Sequence, residues 1–184
     1  ISKPFYLSTT EVTECQWESV MGTRPWTRPW KGEGLVKERT NCAATYVNWK
    51  DAQEFCRKLS VKEAVVYRLP TEAEWEYSCR AVTTNVFHFG DDVKHLGDYA
   101  WFNDNACGVG QKYVPEVGRK KPNPFGLYDM HGNLSEWCKD LYGKEYYAKS
   151  PVIDPQGSKA GGRRVSRGGS WGSTATRCRS ADRF

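Results

Sequence analysis

The chain has 184 residues, a length typical of one domain. It carries 27 basic and 22 acidic residues, a formal net charge of +5, spread along the chain rather than gathered in tails. Such a mild excess does not indicate nucleic acid as a partner, and no apolar run reaches the roughly 18 residues that a membrane span requires. Aromatic residues reach 14%, with 17 Gly, which favours a loop-rich globule over a helical bundle or a doubly wound sheet.

Three helices are predicted in the first half of the chain. The first begins near Thr10 and ends before Gly22, and the second follows Asn48, which is a suitable N-cap. The third begins at a capping box formed by Thr71 and Glu74.

The rest of the chain is predicted to be loops and two short strands. The tandem Arg-Pro-Trp sequence at 24–30 is predicted to be a loop, and residues 80–121 should hold short strands or metal-fixed turns. Strands are predicted at Gly126–Met130 and Arg164–Gly169. Early helices and late strands give an α+β fold class, with residues 1–184 forming a single domain.

The cysteines and histidines do not have the spacing of a metal or redox centre. The seven cysteines include no CxxC pair, so the alternatives are one or two disulfides with a thiol left over, or buried reduced cysteines. The three histidines (His88, His95 and His131) share no zinc-ligand spacing and are predicted to lie in loops or at the surface.

Two other motifs carry possible chemistry. Gly168–Gly172 matches G-x-S-x-G, but no histidine follows it, so the chain order of a serine hydrolase is missing and tight packing of backbone beside Trp171 is favoured. The stretch Asp129–Glu136 places two carboxylates around a glycine and an asparagine. A tight turn there could gather oxygen ligands for calcium, and the alternative is a polar turn that binds its own amides.

Three blocks in chain order carry a resemblance to a known family. They are Y-R-L-P-T-E-A-E-W-E-Y at 67–77, N-P-F-G-L-Y-D-M-H-G-N at 123–133 followed by Glu136 and Trp137, and R-V-S-R-G-G-S-W at 164–171. Together they resemble the formylglycine-generating enzyme (sulfatase-modifying factor) family over essentially the whole chain. The resemblance implies a variant of the C-type lectin-like fold, a loop-rich α+β domain.

The resemblance also implies a catalytic site, which this sequence only half retains. Enzymes of the family oxidise a substrate cysteine with copper(I) held by two cysteines that follow the R-G-G-S-aromatic block. Ser173 and Cys178 stand at those positions. Because a hydroxyl is a poor ligand for a cuprous ion, we expect no copper and no enzyme activity. A copper-dependent formylglycine-generating oxidase, or a related oxidative enzyme, is the alternative.

Non-catalytic members of the family resemble this chain more closely. These are variable ligand-binding proteins diversified by retroelements, including spirochaete surface proteins of the Treponema type. In them a segment after R-G-G-S-W is altered by mutagenesis of Asn codons, and here that segment lies within residues 164–184, unless it is an ordinary divergent loop. The predicted ligand-binding positions are Gly172, Ser173, Thr174, Thr176, Arg177, Asp182 and Phe184.

The resemblance further assigns a structural calcium site to the Asp129–Glu136 stretch. Its ligands would be the carboxylates of Asp129 and Glu136 and the backbone carbonyls of Gly132 and Leu134. The family's second calcium site uses an asparagine where Trp101 stands, so it is not carried over.

The remaining expectations concern context. The family's opening strand would precede Ile1 and its closing run would follow Phe184, so we expect both ends of the domain to lie outside this chain. We expect a monomer that is exported or displayed at the cell surface, with an anchor outside this segment. Its ligand would be a protein or another macromolecule, but not nucleic acid.

Overall fold

The regular structure consists of short helices and one small sheet joined by long irregular segments. This computed structural model describes residues 1–27 and 40–184. Within them lie α1 (Glu14–Met21), α2 (Trp49–Glu63), α3 (Glu72–Arg80), α4 (Leu96–Tyr99), β1 (Glu136–Leu141) and β2 (Arg164–Arg167). Single turns of 3-10 helix occur at Pro25–Thr27, Val93–His95, Asn103–Asn105, Cys107–Val109 and Ala175–Cys178. The predicted α+β, loop-rich fold class is confirmed.

The starts of α2 and α3 are those predicted. The Asn48 side chain accepts hydrogen bonds from the backbone amides of Lys50 and Asp51, at 2.9 and 3.1 Å. Thr71 and Glu74 each bond the other's backbone amide, at 3.2 and 2.8 Å. Local capping of otherwise unpaired amides therefore fixes both helix starts.

Helix α1 begins later than predicted, at Glu14, with Thr13 as its N-cap. The residues before it are extended, because Ala44 donates to the Val12 carbonyl and Glu14 donates to the Cys42 carbonyl, both at 2.9 Å. This long-range pairing competes with a helix start at Thr10. The N-terminal part of the Arg-Pro-Trp repeat forms the turn Pro25–Thr27, and residues 28–30 lie outside the described residues.

The sheet is an antiparallel pair of β1 and β2. Glu136 lies opposite Arg167 and Leu141 lies opposite Arg164, with an irregularity between these two pairs. The predicted strand at Arg164–Gly169 is confirmed as far as Arg167. The predicted strand at Gly126–Met130 is wrong: Gly126 and Asp129 have φ of 78° and 59°, which turns the chain there.

Segment 80–121 contains 3-10 turns and α4 in place of the expected strands, with an isolated bridge between Phe87 and Gly90. Among residues 1–27 and 40–184, no group of three or more His, Cys, Asp or Glu side chains has the arrangement of a metal site.

Three clusters of buried side chains form the core. One joins α3 to the sheet: Trp75, Cys79, Leu127, Met130, Cys138 and Val165. A second lies beneath the C-terminal segment: Phe87, Leu96, Ala100, Phe102 and Cys178. A third joins α1 and α2: Trp17, Trp26 and Phe55. Cys178 thus anchors the C-terminal segment by burial of its own side chain.

Of the two alternatives for the cysteines, burial in the reduced state agrees with the structure. The side chains of Cys42, Cys79, Cys138 and Cys178 are buried, and no disulfide joins cysteines of the described ranges. Within the same ranges, no helix is both long and apolar enough to cross a membrane.

Candidate functional site

The chain after β2 turns across the end of the sheet, and its backbone is bonded to distant loops. Trp171 donates to the Asn133 carbonyl at 2.8 Å, and Cys107 donates to the Trp171 carbonyl at 3.3 Å. Asn103 donates to the Ser173 carbonyl at 2.9 Å. The path of residues 171–173 is therefore set mainly by backbone contacts, to which the Ser173 hydroxyl adds a bond from the Ser170 amide.

Similar contacts hold the last residues. Ser180 donates to the Val86 carbonyl at 2.9 Å. Ser166 and Phe184 exchange two backbone hydrogen bonds of 3.2 Å, which extends the pairing of β2. The Arg167 guanidinium donates to the Ser180 carbonyl at 2.6 Å. Both ends of the segment are thus fastened to residues outside the positions predicted to bind a ligand.

A buried ionic network supports this fastening. The side chains of Glu72 and Arg167 are 0% exposed and lie 3.2 Å apart. Arg183 donates two hydrogen bonds to the Glu72 carboxylate, at 2.6 and 2.7 Å, and Arg167 also pairs with Glu76. Charge-assisted bonds of this kind are strong where water is excluded. They connect α3 to β2 and to the last turn of the chain.

Two buried histidines contact each other, and one of them also contacts the carbonyl of Cys178. His131 Nδ1 lies 2.8 Å from the Cys178 oxygen, and His131 Nε2 lies 3.0 Å from His88 Nδ1. Burial lowers the pKa of His88 to about 4, and burial together with His88 lowers the pKa of His131 to about 3. Both histidines lie in loops, which is one of the two predicted settings, but not at the surface: they are enclosed and act as neutral hydrogen-bonding groups.

Two glycines show where the segment is fixed and where it is open. Gly169 has a φ of 74°, and a Cβ there would lie 2.9 Å from both the Arg177 carbonyl oxygen and the Cys178 sulfur. A Cβ on Gly172 would meet nothing nearer than Cys107, at 3.8 Å, an ordinary van der Waals contact. Gly169 therefore belongs to the fixed part, whereas position 172 has room for a side chain.

A cleft of about 510 Å³ opens on this segment. Its walls are formed by Ser135, Ser166, Gly172, Ser173, Thr174, Arg177 and Phe184. The other two predicted ligand-binding positions do not line it: Thr176 is exposed beside Thr174, and Asp182 pairs with Arg179 at 3.0 Å.

Ser135 and Ser166 are cleft residues that sequence reasoning missed. Ser166 alternates with the buried Val165 and Arg167 in β2, so a period-two reading of this strand could have placed its side chain on the open face. Ser135 carries no such signal. It stands just before β1, where its hydroxyl donates to the Gly169 carbonyl at 2.7 Å.

Exposure divides the C-terminal segment into two sets of residues. The seven predicted ligand-binding positions are all exposed or half-buried. Six other positions of residues 164–184, hereafter the frame, are buried: Val165, Arg167, Gly168, Gly169, Cys178 and Ser180. Arg179 and Ala181, which lie between predicted positions, are exposed as well. The segment thus combines a buried frame with side chains that contact solvent.

The residues at the family's copper positions do not fit a cuprous ion. Ser173 offers a hydroxyl, which already accepts a hydrogen bond from the Ser170 amide at 3.0 Å. Burial raises the pKa of the Cys178 thiol to about 12, so the thiolate that copper(I) requires is disfavoured. Cys107 is exposed near Gly172 and is the other thiol at this face.

The carboxylates predicted to bind calcium lie in a buried acidic cluster that includes Glu11, which sequence reasoning missed. Glu11 accepts from the Leu134 amide at 3.2 Å, and Asp129 accepts from the Gly118 amide at 2.6 Å. Glu11 Oε2 and Asp129 Oδ1 are buried without hydrogen-bond partners. Burial and the neighbouring Asp129 charge raise the pKa of Glu136 to about 7. Unpaired oxygens and mutual repulsion are features that a bound cation would relieve.

Comparison with known proteins agrees with this geometry. The profile of the "Sulfatase-modifying factor enzyme 1-like domain" matches residues 1–184. A formylglycine-generating enzyme of Streptomyces coelicolor is 33% identical over 169 residues, which cover 84% of this chain and 50% of that protein. The chain spans about half the length, or less, of this enzyme and of the formylglycine-generating enzymes of Bos taurus and Mus musculus that it also matches.

Two solved structures share the fold closely. Treponema denticola variable protein 1 has a TM-score of 0.79 and 31% identity, covering 95% of this chain and 76% of its own. PvdO from Pseudomonas aeruginosa has a TM-score of 0.78 and 27% identity, covering 96% of this chain and 72% of its own. The scaffold is therefore one that a variable protein and formylglycine-generating enzymes both use.

Proposed function

Because this chain belongs to the sulfatase-modifying factor enzyme 1-like family, we propose that it uses the family's scaffold as a non-enzymatic ligand-binding protein. The ligand would bind the exposed side chains of residues 164–184, with the cleft at their centre. One observation carries the proposal: the buried frame and the backbone bonds fix this segment, while the seven predicted ligand-binding positions contact solvent. Such a surface can change its side chains without disturbing the core.

We further propose that a retroelement diversifies this segment. The similarity to Treponema denticola variable protein 1 supports this proposal. The residues at the seven predicted ligand-binding positions also support it, since each can arise from an Asn codon by mutation of its adenines. A reverse transcriptase gene beside this gene, with a near-copy of the segment's coding sequence, is the expected genomic arrangement. If both elements were absent from the neighbourhood, diversification by a retroelement would be contradicted. Ligand binding would then still be tested separately.

Substitutions at the predicted ligand-binding positions, hereafter the open positions, are expected to leave the free energy of unfolding nearly unchanged. Thr174→Asn and Arg177→Asn should each change the free energy of unfolding by no more than about 0.5 kcal/mol, since both side chains are exposed. Val165→Ala, which truncates a fully buried side chain in the frame, should lower it by roughly 2 kcal/mol. Urea denaturation followed by tryptophan fluorescence compares the three variants. If the two open positions behaved as Val165 does, the segment would be part of the core and the proposal would fail.

A copper-dependent oxidase is the alternative, supported by the formylglycine-generating enzymes among the relatives. Anaerobic titration with copper(I) separates the two functions. Wild-type protein is expected to show no tight two-thiolate complex, whereas Ser173→Cys adds a second soft ligand at the family's position and should bind the ion more tightly. Cys107→Ala tests the remaining thiol of this face. Tight binding by the wild type that is lost in Cys107→Ala would favour the enzyme.

We also propose a structural calcium ion bound by Asp129, Glu136 and the carbonyls of Gly132 and Leu134, with Glu11 nearby. Calcium is expected to raise the melting temperature, because a ligand that binds only the folded state stabilises it. Because the pKa of Glu136 is about 7 and the ion requires the carboxylate, the gain should increase as pH rises through 7. Glu136→Gln should reduce the gain in melting temperature. Glu116→Gln is the control and should retain the gain, because Glu116 is neither a proposed calcium ligand nor a member of the acidic cluster. An equal gain in both variants would argue against this site.

The proposed context is a monomer, exported or displayed at the cell surface, that binds a protein or another macromolecule but not nucleic acid. The similarity to a variable protein supports the ligand class, and the mild net charge supports the exclusion of nucleic acid. Light scattering coupled to gel filtration tests the oligomeric state. A dimer would contradict the monomer and leave the cleft's function unaffected.

A further inference from the structure

The walls of the cleft contain one cation and no acidic side chain. Arg177 is the charged residue among those that line it, and the others are four hydroxyl-bearing residues, a glycine and Phe184. The nearest acidic residue in sequence, Asp182, already pairs with Arg179. The cleft is therefore electropositive, although the surrounding charges are paired.

The Arg177 guanidinium lies 4.8 Å from the centre of the Phe184 ring. Stacking of this kind orients the planar group and leaves its N–H donors at the rim. Within residues 1–27 and 40–184, no carboxylate pairs with Arg177. Phe184 in turn is held by its two backbone hydrogen bonds to Ser166. The donor group is thus oriented in advance and available to a ligand.

Four hydroxyl-bearing side chains share the cleft wall with this cation: Ser135, Ser166, Ser173 and Thr174. The backbone amides of Ser173 and Arg177 already donate to the carbonyls of Ser170 and Thr174, at 2.8 and 2.9 Å. Phosphate sites that rely on side chains generally use several cations, and Arg177 is the one cation on this wall. One guanidinium with neutral hydroxyls instead matches a group that carries one negative charge.

We propose that the cleft binds a carboxylate, presented by an acidic side chain of a protein ligand. Arg177 would hold the carboxylate through two parallel N–H···O bonds, and the hydroxyls would bind neighbouring polar groups of the ligand. A cleft of about 510 Å³ has room for more than the carboxylate alone, so the acidic residue would be one part of a larger epitope. This inference rests on the ligand-binding function proposed above and specifies the chemistry of the same site.

The test uses matched peptides and the Nε–Hε signals of 15N-labelled protein. Ac-Gly-Glu-Gly-NH2 should shift the Arg177 signal and bind roughly tenfold more tightly than Ac-Gly-Gln-Gly-NH2, since only the former is charged. The difference should shrink as salt is added. Ac-Gly-Gln-Gly-OH carries a terminal carboxylate. Binding as tight as that of the Glu peptide would support recognition of a carboxylate and would add the C-terminus of a protein ligand as a source of it.

Two variants make the result specific. Arg177→Gln should abolish the preference for the glutamate peptide. Arg163→Gln should retain it, because Arg163 also lies over an aromatic ring, that of Tyr142, but outside the cleft. Equal binding of the Glu and Gln peptides, or binding of inorganic phosphate more tightly than the Glu peptide, would overturn the proposal that the cleft binds a carboxylate. Failure of the carboxylate test would leave the ligand-binding proposal standing if substitutions at the open positions still left the free energy of unfolding nearly unchanged.

Discussion

Replacing Arg167 with Met is expected to lower the free energy of unfolding by about 3–5 kcal/mol, among the largest effects of a single substitution in this chain. The substitution leaves the Glu72 carboxylate fully buried with Arg183 as its remaining cationic partner in the network. It also removes the donor to the Ser180 carbonyl, which would then be buried without that hydrogen bond. Equilibrium urea denaturation measures the loss.

The matched control is Arg57→Met, which breaks an exposed pair with Glu54 one turn apart on α2. Exposed pairs of this kind contribute about 0.5 kcal/mol or less, so this variant should resemble the wild type. Hydrogen exchange should also show the amide of Ser180 losing protection in Arg167→Met and keeping it in Arg57→Met. A loss below about 1 kcal/mol for Arg167→Met would show that the network does not hold the segment.

Acid is expected to destabilise the protein through the buried His88–His131 pair. The pKa of both imidazoles is lowered in the folded state, to about 4 and about 3, while the unfolded value is near 6.5. The unfolded chain therefore binds more protons below pH 6.5, and the stability present above that pH is lost as pH falls towards 3. For His131 alone the loss is on the order of 4 kcal/mol.

Protonation of His131 places an N–H on both ring nitrogens, so its Nε2 can no longer accept the hydrogen bond from the backbone amide of His88. The pKa values of Glu11, Asp129 and Glu136 are raised by burial, that of Glu136 to about 7, and these groups act in the opposite sense, because the folded protein binds their protons at higher pH than the unfolded chain does. Denaturation is therefore best measured in Glu136→Gln as well as in the wild type.

Nuclear magnetic resonance gives the direct measurement for the histidine pair. The ring signals of His88 and His131 are expected to stay those of neutral imidazole down to about pH 5 in the folded protein, one unit above the pKa of His88. Titration of either ring near pH 6.5 would contradict the buried, mutually bonded arrangement.

Local signals explain which elements the sequence predicts well. The caps at Asn48 and Thr71 involve residues within three positions of one another, so spacing alone reveals them. Helix α1 is shortened by pairing with residues 42–44, some 30 positions away, which no local pattern reports. The strand expected at Gly126–Met130 fails because two residues there adopt positive φ.

The candidate site divides in the same way. The family resemblance locates the C-terminal segment, and the structure brings the cleft-lining members of the predicted set together. Ser135 and Glu11 were missed because their partners are distant: the hydroxyl of Ser135 bonds to Gly169, and the carboxylate of Glu11 bonds to Leu134. The histidine pair, 43 residues apart, was missed for the same reason.

Central to this account is a segment whose fold does not depend on its displayed side chains. A variant with Asn at all seven positions (172, 173, 174, 176, 177, 182 and 184) tests this most directly, with urea denaturation as the measurement. We expect a cooperative unfolding transition and a loss of no more than about 3 kcal/mol, since none of the seven side chains is buried. A non-cooperative transition, or a loss larger than that of Arg167→Met, would contradict it.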